Sequence, residues 1–340
     1  MKAKKIVIIG AGLAGLSCAV FLKQKNIKSQ IFEKEGICGG LCRSVKKGGF
    51  TFDLSGHLLH LKNQAVSSFV RDFLGLKLAR HKRNSFVYFS RKFIPFPFQI
   101  NFHRLPQKIV RKCLTGFLQA RYSGNGCFNG RDLISWLKSS FGEAITRYFM
   151  VPYNTKFWKM SLDKLNFEWA NRFMPKPTLE TIVRGFLSNQ PPGVGYSASF
   201  FYPVRGGVNQ VIQPLSSNLN NITLQRKLIK IYPDKKQILL SNGKKLKYDV
   251  LILTIPLPEL SRIIVDLPLE IKSIFSKLRW LSVCNINLGL STVVCPGRHW
   301  IYFPQANLDF FRVGFYSNFS SSITPYGCGS LYADISYRNC

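Results

Sequence analysis

The apolar positions in the first 35 residues form two short runs with a helical pattern between them. Ile6 to Ile9 is an uninterrupted aliphatic run, and Ser29 to Phe32 ends in a second one. Short runs of this kind are typical of strands buried on both faces of a parallel sheet. Between them, Leu13 to Lys25 repeats its apolar residues at the spacing of a helix. The order of strand, helix and strand predicts a parallel α/β sheet that starts at the N-terminus.

Three glycines separate the first strand from the helix. Gly10, Gly12 and Gly15 have the spacing G-x-G-x-x-G, which permits a tight turn, close approach of a pyrophosphate and close packing of helix on strand. The N-terminus of the helix adds free N–H groups and a partial positive charge. Glu33 ends the second strand, where a carboxylate can accept hydrogen bonds from ribose hydroxyls. Together these features predict a dinucleotide-binding site.

Beyond residue 62 the period of the apolar positions changes twice. From 63 to 200, helical patterns such as Gln107 to Arg121 alternate with loops rich in proline and glycine. Strand patterns then return, and we predict strands at Ile222 to Leu228 and at Val250 to Leu253. The second of these is apolar throughout, so we expect it beside the first strand in the parallel sheet. After Ser261, alternating patterns predict antiparallel strands.

The predicted fold class is therefore α/β, with three regions. These are a discontinuous dinucleotide-binding domain (1–62 and 201–261), a helical substrate or cap domain (63–200), and an antiparallel substrate-binding sheet (262–340).

The charge balance is strongly basic. Forty-eight lysines and arginines against 16 acidic residues give a net charge of +32, which favours anionic partners such as phosphorylated substrates, acidic lipids or nucleic acid. The basic residues are spread along the chain and form no nucleic-acid-binding module, so we expect no nucleic acid. Two interpretations stay open: a generally solvated basic surface, and weak association with an anionic membrane surface.

Other composition features exclude several classes of site. The nine cysteines form no C-x-x-C pair and the five histidines lack ligand spacing, which predicts reduced thiols and no metal site. The basic start and first apolar run look like a secretory signal, but glycines interrupt the run and no cleavage site follows. No apolar run is long enough to span a membrane. We therefore expect a cytoplasmic protein.

Two further glycine segments are candidates for cofactor contact. Gly39-Gly40-Leu41 follows Glu33 closely, and a glycine pair permits close approach of the backbone to a bound cofactor. Arg43, two residues later, can reach a diphosphate. The pair Gly56-His57 follows a predicted strand.

These glycine segments and the N-terminal fingerprint resemble the flavin-binding domain of the amine oxidase and protoporphyrinogen oxidase superfamily. The resemblance implies a Rossmann-like FAD-binding domain. Within that superfamily the chain is similar to the UDP-galactopyranose mutase family. The stretches that carry this similarity are Phe50 to His57, Pro95 to Gln99, Pro152 to Trp158, Tyr202 to Gly207 and Trp300 to Pro304.

The resemblance implies a flavin enzyme that interconverts the pyranose and furanose forms of a nucleotide sugar without net oxidation. Reduced FAD is the form implied to be active, with NAD(P)H as a candidate reductant. Such a reaction needs side chains mainly to position the substrate and to neutralise the leaving diphosphate. The sequence agrees, since it contains no paired carboxylates at a candidate site and no Ser-His-Asp set.

The resemblance also assigns roles to individual residues. It implies that Gly56 and His57 lie against the isoalloxazine, and that His57 and Arg172 are closest to the chemistry. The implied substrate-binding residues are Phe96, Gln99, Asn154, Trp158, Arg172 and Tyr302. Alternatives remain for three of these residues: Trp158 as core, His57 as a structural histidine, and Arg172 in a surface ion pair.

Three departures from the family pattern matter. Ser55 stands where the family has glycine, and the second diphosphate-binding arginine is not found in register, Arg298 being a nearby candidate. The chain ends at Cys340 inside the predicted substrate sheet, so we expect the family's C-terminal segment to be missing. Two other functions therefore stay open. One is an FAD oxidoreductase acting on an amine, a porphyrinogen or a polyisoprenoid, and the other is a non-catalytic homologue.

Overall fold

The structure is a computed structural model that describes residues 4–122, 130–174, 176–188 and 198–338, with the backbone alone at position 172. The strands are β1 (Ile6–Ile9), β2 (Ser29–Phe32), β3 (Ser44–Lys47), β4 (Phe50–Asp53), β5 (Leu78–Lys82), β6 (Ser85–Phe89), β7 (Lys92–Pro95), β8 (Ser199–Pro203), β9 (Ile222–Thr223), β10 (Leu228–Tyr232), β11 (Gln237–Leu240), β12 (Lys245–Lys247), β13 (Val250–Leu253), β14 (Leu281–Leu290), β15 (Trp300–Tyr302), β16 (Arg312–Gly314) and β17 (Gly329–Arg338).

The α-helices are α1 (Leu13–Gln24), α2 (Gln64–Ser68), α3 (Gln107–Tyr122), α4 (Leu133–Ile145), α5 (Val151–Trp158), α6 (Ala170–Phe173), α7 (Leu179–Leu187), α8 (Ile212–Ser217), α9 (Leu257–Ile263) and α10 (Leu269–Ser276). Short π-helical turns follow α2 and α4, at Phe69–Phe73 and Thr146–Met150. The expected α/β class is confirmed.

A four-stranded parallel sheet in the order β13-β1-β2-β9 carries the N-terminal unit. Ile6 pairs with Val250 and Ile9 with Leu253, which confirms the predicted position of β13 beside β1. Val7 and Ile8 are fully buried on opposite faces of β1, each in its own apolar cluster. Burial on both faces explains the uninterrupted aliphatic run.

The second large sheet has six strands in the order β14-β17-β16-β15-β6-β7. Antiparallel pairing among β14 to β17 agrees with the expectation for residues 262–340. However, β15 pairs with β6 in parallel, with Trp300 opposite Ser85, so the sheet as a whole is mixed. Two of its strands come from the region predicted to be helical.

The region from 63 to 200 contains the expected helices, but it is not helical throughout. Its core is formed by α3, α4 and the segments around them, with Trp136 and Phe141 buried. Strands β5, β6 and β7 are corrections to the prediction. The division of the chain into three domains stays a prediction.

The predicted strand Ile222 to Leu228 is also wrong as a single element. It is two strands, β9 and β10, separated by a turn in which Gln225 has a φ of +52°. The chain leaves the parallel sheet at this turn and enters the small antiparallel sheet β10-β11-β12. Among the described helices, none has both the length and the apolar composition to cross a membrane.

Candidate functional site

The turn between β1 and α1 requires glycine at two positions. Gly10 has a φ of +103°, and a Cβ there would lie 2.5 Å from Oγ1 of Thr254. A Cβ on Gly15 would lie 1.9 Å from the carbonyl oxygen of Gly10, so helix and strand touch here. The turn is therefore as tight as the glycine spacing predicted.

The second glycine segment packs directly on this turn. The N–H of Gly39 donates to the carbonyl of Ala11 at 2.8 Å, and a Cβ on Gly40 would lie 3.3 Å from the Cα of Gly12. Both Gly39 and Gly40 have positive φ, at +119° and +54°. Two backbone segments without side chains thus meet at the carboxyl end of β1, where a dinucleotide binds in folds of this kind.

Leu41 and Arg43 border these glycines. The Leu41 side chain is 73% exposed, and Arg43 is half-buried against Gly39. Both are therefore positioned beside the glycine loop, and their contact with a cofactor stays a prediction.

Glu33 lies at the end of β2 and is 7% exposed. Its two carboxylate oxygens accept hydrogen bonds from the backbone N–H groups of Ala11, at 2.7 Å, and Glu35, at 3.0 Å. Each oxygen retains a lone pair for a further donor. Gly12, the N-cap residue that precedes α1, supplies no side-chain cap. A glycine-lined cradle, an uncapped helix N-terminus and a fixed carboxylate fit the diphosphate and ribose of FAD.

Asp53 anchors the segment that carries Gly56 and His57. Its buried carboxylate accepts from the Ser44 hydroxyl at 2.6 Å, the Tyr202 hydroxyl at 2.6 Å and the Val208 N–H at 3.0 Å. Burial raises the pKa of Asp53, and the hydrogen bonds from Ser44 and Tyr202 oppose that rise. The three donors hold β4 against β3 and β8.

Gly56 lies against a buried tyrosine. A Cβ at Gly56 would lie 2.2 Å from the hydroxyl of Tyr332, whose ring also lies against Gly314. His57 is half-buried, and its Nδ1 lies 3.2 Å from the carbonyl oxygen of Ser55. This contact fixes the ring, which is consistent with His57 as a structural histidine. Contact of His57 with the flavin stays a prediction.

Four of the predicted substrate-binding residues meet at one cavity of about 140 Å³. Phe96, Gln99, Asn154 and Tyr302 line it together with Tyr153. The rings of Phe96 and Tyr153 lie 5.0 and 5.3 Å from that of Tyr302. Gln99 is buried, and its Oε1 has no hydrogen-bond partner within the described chain. An unpaired buried amide oxygen in an aromatic cavity calls for a polar ligand.

The two remaining predicted substrate-binding residues lie elsewhere or are not described. Trp158 lines a separate, larger cavity of about 690 Å³ and packs on Phe157 and Trp169, with ring centroids at 4.9 and 5.3 Å. The structure therefore does not bring Trp158 to the Gln99 cavity. Arg172 belongs to α6, but its side chain lies outside the described residues.

An arginine at this site, Arg312, was not predicted from the sequence. Arg312 lies opposite Tyr302 in the β15–β16 pair and binds Asp334 with Nε at 2.9 Å and Nη2 at 2.6 Å. Its Nη2 also donates to the Ser55 hydroxyl at 3.2 Å, next to Gly56. Arg298, the candidate for the second diphosphate-binding arginine, instead lies over the rings of Phe86 and Phe93.

Two signals mark Arg312. It is a charged residue inside a strand pattern, and β17 carries a buried carboxylate directly opposite it, since Arg312 pairs with Asp334. Burial opposes its charge, but the Tyr332 hydroxyl and the Asp334 carboxylate hold the pKa of Arg312 above its ordinary value. A second buried cation, Arg83, lies with its guanidinium 4.6 Å from the centre of the Phe96 ring.

Residues 13–321 match the family model of flavin-containing amine oxidoreductases. A crystal structure of reduced UDP-galactopyranose mutase superposes with a TM-score of 0.92 and 31% identity, over 99% of this chain and 75% of that chain. The UDP-galactopyranose mutase of Mycoplasma genitalium is 25% identical over 68% of this chain, and the coproporphyrinogen III oxidase of Bacillus subtilis is 22% identical over 84%. The chain covers 56% of the first and 66% of the second of these two relatives.

Proposed function

The chain belongs to the family of flavin-containing amine oxidoreductases, and from that premise we propose that it is a mutase acting on a nucleotide sugar. It interconverts the pyranose and furanose forms of the sugar with no net oxidation. The proposal draws on the similarity to UDP-galactopyranose mutases and on the geometry around Arg312.

The position of Arg312 is the observation that carries this proposal. On one side Arg312 lies opposite Tyr302, which lines the cavity that contains Gln99 and Asn154. On the other side its Nη2 is 3.2 Å from the hydroxyl of Ser55, next to Gly56 in the predicted flavin segment. A nucleotide sugar with its base in the cavity would have its diphosphate beside this cation and its sugar toward the flavin.

The side chains have separate tasks in this reaction. The Gln99 and Asn154 amides can pair with the polar edge of a pyrimidine, and the surrounding rings can stack on its faces. Arg312 and Tyr302 bind the diphosphate and neutralise its charge as it leaves. FAD, when bound and reduced, supplies the nucleophile that displaces the diphosphate. Arg172 stays a second candidate for the diphosphate.

The proposal is tested with the purified protein loaded with FAD. The protein is reduced with dithionite and incubated with UDP-galactofuranose, and the nucleotide sugars are separated by chromatography. We expect conversion to UDP-galactopyranose by the reduced protein and none by the oxidised protein. A reduced protein that retains FAD, binds UDP and gives no conversion would contradict the mutase activity.

A second function is an FAD-dependent oxidation, which the similarity to the coproporphyrinogen III oxidase favours. In such an oxidation, bound FAD would take two electrons from the substrate and pass them to molecular oxygen, so turnover would consume oxygen. Coproporphyrinogen III is added to the oxidised protein in air, and oxygen uptake is recorded. Sustained uptake with no effect of UDP would favour this function over the mutase.

A further inference from the structure

Ser55 has an unusual backbone conformation. Its φ is +70°, in the left-handed region where a side chain is unfavourable and glycine is preferred. In compensation, its hydroxyl donates to Oδ2 of Asp334 at 3.1 Å and accepts from Nη2 of Arg312 at 3.2 Å. A glycine would adopt this backbone without strain but would make neither bond. The Ser55 side chain therefore links Asp334 and Arg312 at the cost of an unfavourable backbone conformation.

The side chain of Asp334 is fully buried, and both of its carboxylate oxygens accept hydrogen bonds. Its Oδ2 accepts from Ser55 and twice from Arg312, and its Oδ1 accepts from Nδ2 of Asn285 at 2.8 Å. A buried carboxylate with this many donors holds its partners in one geometry. Arg312 is thereby fixed along one edge of its guanidinium.

The other edge of the guanidinium is left for a ligand. Within the described chain, the hydrogen bonds of Arg312 use Nε and Nη2, and none uses Nη1. The Phe311 and Tyr332 rings flank the group, with centroids 5.8 and 5.5 Å from its Cζ. These rings and the fixed edge limit its rotation, so that Nη1 has a defined direction.

We propose that Ser55 and Asp334 are positioning residues, which hold Arg312 so that its Nη1 edge binds the diphosphate of the substrate. This inference rests on the proposed function. It also links the two halves of the site, because Ser55 directly precedes Gly56 of the flavin segment while Arg312 faces Tyr302 of the nucleotide cavity. A movement of the segment that carries Gly56 and His57 would then shift Arg312, and with it the bound diphosphate, through the hydroxyl of Ser55.

The first experiment compares Ser55→Gly with wild type in the FAD-loaded protein. The glycine relieves the backbone strain but also removes two hydrogen bonds, so we expect thermal stability to change little while UDP binding weakens. We expect a loss of about 2- to 10-fold in UDP affinity by calorimetry, the range for one hydrogen bond. The flavin spectrum is unchanged. A serine with no role in positioning Arg312 would leave the UDP affinity unchanged, whatever the change in stability, and that result would overturn the proposal.

Ser90→Gly is the matched control. Ser90 also has a positive φ, +50°, but it lies exposed in the turn between β6 and β7. Its replacement removes the same kind of strain far from Arg312, so we expect equal or higher stability and no change in UDP affinity. Equal losses of UDP affinity in the two variants would overturn the positioning role of Ser55.

Asp334→Asn separates positioning from charge compensation. If Asp334 positions Arg312, the variant binds UDP more weakly, by at least as much as Ser55→Gly. If Asp334 only offsets the charge of Arg312, its neutralisation leaves a stronger cation and UDP binds more tightly, which would overturn the proposal. Should this variant fail to fold, Ser55→Gly and Ser90→Gly decide. If wild type does not bind UDP at millimolar concentration, both the proposed function and this inference are contradicted. If wild type binds UDP and Ser55→Gly binds it equally well, only this inference is contradicted.

Discussion

His299 is a histidine whose surroundings favour its neutral form. It is 5% exposed, its Nδ1 accepts the N–H of Asn84 at 2.9 Å, and the ring of His81 lies 5.4 Å away. Burial, with a smaller contribution from His81, lowers the pKa of His299 to about 4. The unfolded chain takes up this proton near pH 6.5, so it binds more protons than the folded chain between pH 6.5 and 4.

We therefore predict that the free energy of unfolding falls as the pH drops from 6.5 to 4. The share from His299 reaches roughly 3 kcal/mol, and it is absent above pH 6.5 because the ring is then neutral in both states. Urea unfolding at pH 7, 5.5 and 4.5 measures the free energy of unfolding at each pH. His299→Asn keeps an acceptor near Nδ1 and does not titrate, so its stability should depend less on pH. Parallel pH curves for the two proteins would contradict the assignment.

Glu33 offers a prediction for the cofactor. The carboxylate is fixed by the N–H groups of Ala11 and Glu35 and retains lone pairs for the ribose of FAD. Glu33→Ala should weaken FAD binding by about 1.5 to 3 kcal/mol, the value of a hydrogen bond to a charged group. FAD titration of the apoprotein by fluorescence measures the change. The control variant Glu35→Ala removes a neighbouring exposed carboxylate and should bind FAD as wild type does. Equal losses of FAD affinity in Glu33→Ala and Glu35→Ala would mean that net charge, and not a hydrogen bond to Glu33, is responsible.

At the scale of residues, the sequence predicted local chemistry better than distant contacts. Gly10, Gly15 and Glu33 lie within one strand-turn-helix-strand unit, where spacing along the chain determines spacing in space. Arg312 could not be assigned in this way, because Ser55 lies 257 residues from it and Asp334 reaches it only through strand pairing. Trp158 was predicted beside residues with which it shares no cavity, since it ends α5 one helical turn beyond Asn154 and packs there on Phe157 and Trp169.

At the scale of elements, a lysine connects α5 to the mixed sheet. Lys156 is 8% exposed, and its Nζ donates to the carbonyls of Phe303 and Phe310 at 2.8 and 2.9 Å. These carbonyls flank the loop between β15 and β16, which carry Tyr302 and Arg312. Burial and the charge of Lys159 lower the pKa of Lys156 to about 8, so the group is protonated at pH 7.

Lys156→Met should keep the apolar stem and lose both hydrogen bonds. We predict a loss of about 2 to 4 kcal/mol in the free energy of unfolding, because two carbonyls lose a charged donor. Urea unfolding at pH 7 measures the loss. Lys159→Met is the control, since Lys159 is exposed on the same segment and should change stability by less than about 0.5 kcal/mol. If the variants are equally stable, Lys156 does not fasten the loop.

Strong apolar patterns predicted whole elements, and weak patterns did not. β1, α1 and β13 were predicted with their pairing because each has a continuous or periodic apolar pattern. β6 and β7 were missed because Ser90 and Arg91, which have positive φ in the turn that joins the two strands, are not the glycine or asparagine that signals such a turn. Strand β15, which pairs with β6, lies more than 200 residues away, and no local pattern indicates such a pairing.

At the scale of the whole molecule, charge repulsion opposes folding. The described residues include the ion pairs Lys138–Glu143, Arg184–Glu180 and Arg312–Asp334, of which the first two are exposed. With 48 basic and 16 acidic residues, one-to-one pairing would still leave 32 basic side chains. Compaction brings these like charges closer, which destabilises the folded state at low ionic strength. Exposed ion pairs contribute little to offset this.

We therefore predict that added salt stabilises the protein. Raising sodium chloride from about 10 mM to about 150 mM shortens the screening length from roughly 30 to 8 Å, which weakens repulsion between surface charges. The melting temperature should rise by a few degrees, equivalent to about 1 kcal/mol. The same screening should weaken UDP binding, because Arg312 and the net positive charge of the chain attract the diphosphate. The two effects have opposite signs, so one salt series measures both.

Screening must be distinguished from binding of a particular anion. Sodium chloride and sodium fluoride at equal ionic strength screen equally, so the two melting curves should coincide if repulsion is the cause. A rise that occurs with phosphate alone, at concentrations too low to screen, would indicate that anions occupy a site. The Arg312→Gln variant should then lose that rise if the diphosphate position is the site responsible. A melting temperature that falls with salt would mean that attractive ion pairs outweigh repulsion despite the net charge of +32.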